Sequence, residues 1–223
     1  MKVILGKLLS VNVGLPSEIG SFRGKKVLSG IRKEPVTGSV IVRKLNLEGD
    51  RQADLTVHGG VDKAVYVYPS ENYPFWKNKF PDLDIRWGTF GENFTTEGLA
   101  EDALHVGDRL QIGSAILMVR QSRVPCYKLA VKFQRDDILD RFLASGRSGF
   151  YFSVEQEGQA AAGDPFTVLS RNGEGISIAE MNRLFVSERY NRSLLQKAID
   201  TAALPEDWRE YFQQRLQRSE VIA

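Results

Sequence analysis

From Met1 to about Leu169 the chain is written in short apolar runs separated by turn signals. The runs Val3–Val13, Val40–Leu45, Ala64–Tyr68, Arg109–Ile112, Ala115–Gln121, Phe150–Val154 and Phe166–Leu169 carry strand-favouring residue types. Gly113-Ser114 separates two of them by two residues, the spacing of a hairpin, and Gly163-Asp164-Pro165 sets a turn ahead of the last. Many short strands with glycine-rich turns predict a barrel or a folded-over sheet. Two helical insertions are expected, one opening near Ser70 and one over about Leu129–Ala144, where Ile138, Leu139, Phe142 and Leu143 recur at helical spacing.

The pattern changes after Leu169. Arg171-Asn172-Gly173-Glu174-Gly175 reads as a linker, and Ser177 precedes Glu180 by three residues, the signature of a capping box. Helices are expected there, then over Arg192–Ala203, then over Glu206–Arg218 behind Pro205. The reading is a mainly β fold with helices (α+β), divided into a barrel domain at 1–169 and a three-helix appendage at 170–223.

Composition narrows the class. With 42% hydrophobic and 26% charged residues in 223 positions, the chain has material for a sizeable core and the balance of a soluble protein. A single cysteine permits no internal disulfide, which suits a reducing compartment. The apolar start is too short for a signal segment, and no run reaches membrane-spanning length, so a cytoplasmic location is expected. A net charge of +2 with interleaved acids and bases gives no ground for a nucleic-acid partner.

That lone cysteine, Cys126, is the centre of the candidate chemistry. Arg123 stands three positions before it and Lys128 two after it, and cations near a sulfur favour a thiolate, the form that attacks electrophiles or binds metal. Pro125 places the sulfur just beyond a strand end. A second segment, His58-Gly59-Gly60-Val61-Asp62-Lys63, pairs two glycines able to present backbone N–H groups to an anion with a histidine and a lysine. Taken alone it reads equally as a tight turn. Gly91-Glu92-Asn93 precedes a β-like stretch, Lys33 stands ahead of Pro35, and Arg147 lies between glycines. Phosphate-loop, dinucleotide and zinc patterns do not occur. A Cys126–His58 hydrolase remains formally open.

Together these segments, with Gly30-Ile31-x-Lys33-x-Pro35-Val36, Gly91-Glu92-Asn93, Arg123-x-Pro125-Cys126-x-Lys128 and Arg147-x-Gly149, resemble the MOSC domain, closest to its bacterial YiiM group. The domain takes its name from the C-terminal part of molybdenum cofactor sulfurase, and the YiiM group is implicated in resistance to 6-N-hydroxylaminopurine. The resemblance implies a MOSC-type β-barrel core that binds molybdenum cofactor, with Cys126 as the metal ligand. It implies Lys33, Gly59, Gly60, Lys63, Asn93, Arg123, Lys128 and Arg147 as contacts to the anionic cofactor. The implied activity is that of a molybdenum-dependent oxidoreductase, reducing N-hydroxylated nucleobases such as 6-N-hydroxylaminopurine to the amine and water. His58 is the candidate proton donor. Without a flavin, haem or iron–sulfur motif of its own, the chain would draw electrons from a flavoprotein reductase. The alternative is a non-catalytic carrier of the cofactor, or of sulfur, on Cys126.

Overall fold

The computed structural model describes residues 3–56 and 58–222, with the side chains of 220–222 left undescribed. Met1, Lys2, Val57 and Ala223, which fall inside the two expected domains, lie outside the described residues. In chain order the elements are β1 Ile4–Val13, β2 Ser17–Phe22, β3 Lys25–Ser29, β4 Glu34–Val36, β5 Ser39–Val42, β6 Val65–Pro69, α1 Tyr73–Lys79 and β7 Phe94–Glu97. There follow β8 Arg109–Ile112, β9 Ala115–Ser122, α2 Tyr127–Phe133, α3 Ile138–Ser145, β10 Phe150–Gln156, β11 Gly158–Ala161 and β12 Pro165–Ser170. Three C-terminal helices complete the order: α4 Ile178–Phe185, α5 Arg192–Asp200 and α6 Glu206–Ile222.

The main sheet runs β12-β8-β9-β10-β6-β7-β1, and β12 also pairs with β1, so seven strands close into a barrel with β4 beside β1. All its ladders are antiparallel except β6–β7. Closure removes the edges that an open sheet would expose. Alternation decides what fills it: on β9, Ala115, Leu117 and Val119 are buried while Ile116, Met118 and Arg120 are partly exposed. β6 is the exception, since all five of its residues are buried. Val65 and Val67 face the barrel core, whereas Tyr66 and Tyr68 face a second cluster built from Tyr73, Trp76, Phe80, Phe90, Leu129, Phe133, Ile138 and Phe142. This one strand therefore divides two cores, and the second carries α1, α2 and α3.

Gly149 marks a close approach needed for that division. Its φ is +63°, and a side chain there would meet the Val67 carbonyl at 2.2 Å. The β8–β9 hairpin forms at Gly113-Ser114, with Ile112 opposite Ala115. The single helix expected over Leu129–Ala144 is two helices. Gln134 takes the left-handed conformation at φ 52°, and the polar run from Gln134 to Asp137 turns the chain before α3. No glycine or proline announces that break. The hairpin β2–β3 and the pair β5–β11 were not legible either.

The capping box on α4 is complete. Ser177 Oγ accepts from the Glu180 N–H, and the Glu180 carboxylate accepts from the Ser177 N–H, worth about 1 kcal/mol. The helices after Ser177 do not stand apart from the barrel. Met181, Leu184, Leu195, Ala198 and Phe212 belong to the same continuous apolar cluster as Leu8, Val119 and Phe152.

Candidate active site: a cationic cleft around Cys126

At one end of the barrel a cleft opens between the segment after β9, the loop before β6 and the segment after β3. Cys126 sits four residues past β9, in extended backbone at the N-terminus of α2, and is half-buried. The imidazole Nε2 of His58 lies 3.8 Å from its sulfur. Five cationic residues line the same cleft: Lys33, Arg51, Lys63, Arg123 and Lys128. No carboxylate lines it among the described residues. Gly30 lets two of its walls meet, because a side chain there would strike the Arg51 carbonyl at 2.1 Å.

The cations differ in how they are held. Arg123 is buried, donates to the Tyr66 hydroxyl at 3.0 Å and the Phe90 carbonyl at 2.7 Å, and lies over the rings of Tyr66 and Phe142. These contacts fix a permanent charge in the wall. Lys33 is bound to the buried carboxylate of Asp50, which also accepts from the Asn93 side chain and the Gly14 N–H. Burial pulls the Lys33 ammonium below its ordinary value, with Asp50 opposing. Lys63, Lys128 and Arg51 make no side-chain hydrogen bond or ion pair among the described residues. Lys128 is notable because it is also 94% buried, at 6% exposure. A buried ammonium without a partner is costly, and it is poised to accept an anion.

His58 responds to this field. Burial lowers its pKa below 6.5, the Lys128 charge lowers it further, and Asp54 opposes both. A lowered pKa favours the neutral ring near pH 7, in which one nitrogen donates and the other accepts, so the group can pass a proton on as well as hydrogen-bond.

The structure brings Cys126, His58, Lys33, Gly59, Lys63, Asn93, Arg123 and Lys128 to one cleft. It does not bring Arg147, whose guanidinium packs 4.4 Å from the Phe75 ring and donates to the Ser145 carbonyl. Gly60 is exposed and caps the short 3-10 turn Val61–Lys63 without lining the cleft. Asn93 lines it, but its amide is spent on the Tyr66 N–H, Asp50 and the Asn12 carbonyl, so it braces the wall. Glu92 turns inward, where it is fully buried and accepts from Tyr73, Gly88, Phe90 and Thr95. Sequence reasoning passed over Arg51, Gln52 and Tyr151 in the lining and Asp50 behind it. The signal for the first two was the Gly49-Asp50-Arg51-Gln52 run just upstream of His58.

The MOSC domain model matches residues 54–167, and a YiiM-like 3-alpha helix domain model matches 176–218. Protein YflK of Bacillus subtilis (strain 168) is 40% identical over 211 residues, 95% of either chain. The chain belongs to the MOSC family. Among solved structures, YiiM from Geobacillus stearothermophilus superposes on this MOSC protein with a TM-score of 0.79 at 36% identity, covering 95% of this chain and 99% of that one. A protein from Gibberella moniliformis (strain M3125 / FGSC 7600), named reductase, is 30% identical over 85% of this MOSC chain, which accounts for 34% of the longer protein.

Among the described residues no group of three or more His, Cys, Asp or Glu side chains is placed to hold a metal ion. A bare metal thus has no cage here. The cleft offers one soft donor inside a cationic wall, which suits a metal that arrives already ligated by an anionic carrier and takes one more ligand from Cys126. In that sense the residues fit molybdenum cofactor. No helix among the described residues is long and apolar enough to cross a membrane.

Proposed function

We propose that this MOSC protein binds molybdenum cofactor through Cys126 and reduces N-hydroxylated nucleobases such as 6-N-hydroxylaminopurine. The observation that carries the reading is a lone thiol facing five cations with no carboxylate in the lining among the described residues. A relative named reductase, matched over most of this chain, supports a reductive role. When bound, the molybdenum centre supplies the two-electron removal of the hydroxyl oxygen, which leaves as water with two protons while the nitrogen becomes an amine.

The chain's own residues do the rest. Lys63, Lys128 and Arg51 neutralise the cofactor's negative charge with side chains that have no competing partner among the described residues. Arg123 is a fixed positive charge beside the sulfur, held too firmly to move with a ligand. His58, neutral and 3.8 Å from Cys126, relays protons between solvent and the reacting nitrogen substituent. Electrons come from a separate flavoprotein reductase. A cysteine hydrolase is less well supported, since the side chain of His58 has no hydrogen-bond partner among the described residues except Cys126, and hydrolase pairs orient the base with a third group.

The test is protein isolated from a molybdenum-competent host, its metal content measured, then assayed with reduced viologen and 6-N-hydroxylaminopurine. Formation of adenine in proportion to bound molybdenum is expected. Molybdenum-loaded protein that forms none would leave the carrier as the surviving reading.

A further inference from the structure

The C-terminal helices reach the cleft along two hydrogen-bond chains, the first partly buried and the second largely buried. On α6, the Trp208 indole N–H donates to the Gln121 side-chain carbonyl at the end of β9. The Gln121 amide donates onward to the Asp62 backbone carbonyl at 3.3 Å. Asp62 is the middle residue of the turn that places Lys63 in the cleft, and Arg120 holds its carboxylate at 2.7 Å. On α4, Asn182 donates to the Gly146 carbonyl at 2.9 Å, and its oxygen lies 3.0 Å from the Ser148 hydroxyl. The Ser148 carbonyl accepts from the Tyr66 hydroxyl at 2.7 Å, and Tyr66 accepts from Arg123. Gln121, Ser148 and Asn182 are all buried, so a partner lost from any of them is poorly replaced by water.

We propose that the three-helix appendage is a positioning element of the cleft: Trp208 fixes the Gly59–Lys63 turn through Gln121, and Asn182 fixes Arg123 through Ser148 and Tyr66. Neither Trp208 nor Asn182 lines the cleft. Each sets where a charge stands. The arrangement gives the appendage a reason to share the barrel's core, because a rigid brace requires packed support. The role is independent of which reaction the cleft performs.

The test uses ligand-free full-length protein. Trp208→Phe keeps the aromatic packing against Phe185 and Phe212 but removes the donor. Gln121→Glu keeps the acceptor for Trp208 and loses the donor to Asp62. Both should speed amide hydrogen exchange over residues 59–63 by about tenfold. Asn182→Leu should abolish the protected guanidinium proton signals of Arg123 in a nitrogen-edited NMR spectrum. As control, Leu195→Ala hollows the appendage without touching either chain, and it should lower Tm while leaving exchange at 59–63 and the Arg123 signals as in the parent. Folded Trp208→Phe and Gln121→Glu proteins with parental exchange, or a retained Arg123 signal in Asn182→Leu, would overturn the proposal. So would a Leu195→Ala protein that loosens the turn as much as they do.

Discussion

His58 and Cys126 share a 3.8 Å contact within the field of Lys128, which lowers the imidazole pKa while Asp54 raises it. The titration of His58 therefore reports the field inside the cleft. Its NMR midpoint should lie below 6.5; Lys128→Met should raise it and Asp54→Asn should lower it. For stability the sign follows from the depressed folded value. The unfolded chain takes the proton first, so the neutral ring's contribution is held above about 6.5 and lost as the pH falls through the folded value. A midpoint above 6.5 in the parent would contradict the geometry.

Arg123 and Lys128 should part company under mutation, although both face the same cleft. Arg123→Ala removes two hydrogen bonds and two ring contacts from a buried site, and should cost about 3 kcal/mol in chemical denaturation. Lys128→Met removes a buried charge with no partner among the described residues, and should leave stability unchanged or slightly raised. Its effect appears in cofactor retention, weakened by roughly ten- to a hundredfold after dialysis.

Lys33 and Asp50 behave as a unit. Both side chains are nearly withdrawn from solvent, so Asp50→Asn takes the bonded counter-charge from a buried ammonium and should cost about 3–5 kcal/mol. The double variant Lys33→Met/Asp50→Asn should recover much of that loss. Urea melts of the three proteins decide it; additive losses would mean that the two groups do not interact.

Much of this organisation was legible in the chain. Strands with strict alternation, such as β9, and the hairpin at Gly113-Ser114 announce themselves because burial on one face demands period two. The capping box at Ser177 and Glu180 did so for a local reason, since both bonds close within four residues. β2 and β3 escaped notice because their hairpin buries little more than Ile19, Val27 and Ser29 and so carries a weak pattern. The gathering of Lys33, Lys63 and Lys128 around Cys126 followed from motif order. The pairing of Lys33 with Asp50 and the exile of Arg147 onto Phe75 did not, because long-range partners leave no mark on local spacing.

Replacing Cys126 tests the ligand claim with little risk to the fold. The side chain is half-buried and its one hydrogen-bond-range contact among the described residues is His58, so Cys126→Ser should melt within a degree or two of the parent. A serine hydroxyl stays protonated at neutral pH and is a poor partner for a soft metal centre. Bound molybdenum, measured by metal analysis, should fall to background with turnover. A serine variant that retains both would remove Cys126 from the metal.

The source of electrons is the most exposed consequence of the proposed reaction. Reduction of one N-hydroxyl group consumes two electrons, and a single thiol cannot supply them repeatedly. The chain carries no dinucleotide fingerprint and no cysteine set for an iron–sulfur cluster. The electrons must then enter from outside through the cleft mouth, where Cys126 is half-exposed beside the loop of His58. Cofactor-loaded protein with NADPH alone should be inert, and adding a flavoprotein reductase should restore many turnovers per molybdenum. Reduced viologen should bypass the reductase, because a small donor enters the open cleft directly. Salt should slow the reductase-driven rate more than the viologen-driven one if the cationic rim guides docking. Sustained NADPH-dependent turnover by the isolated chain would reveal a nicotinamide or flavin site within this fold and end the two-component scheme.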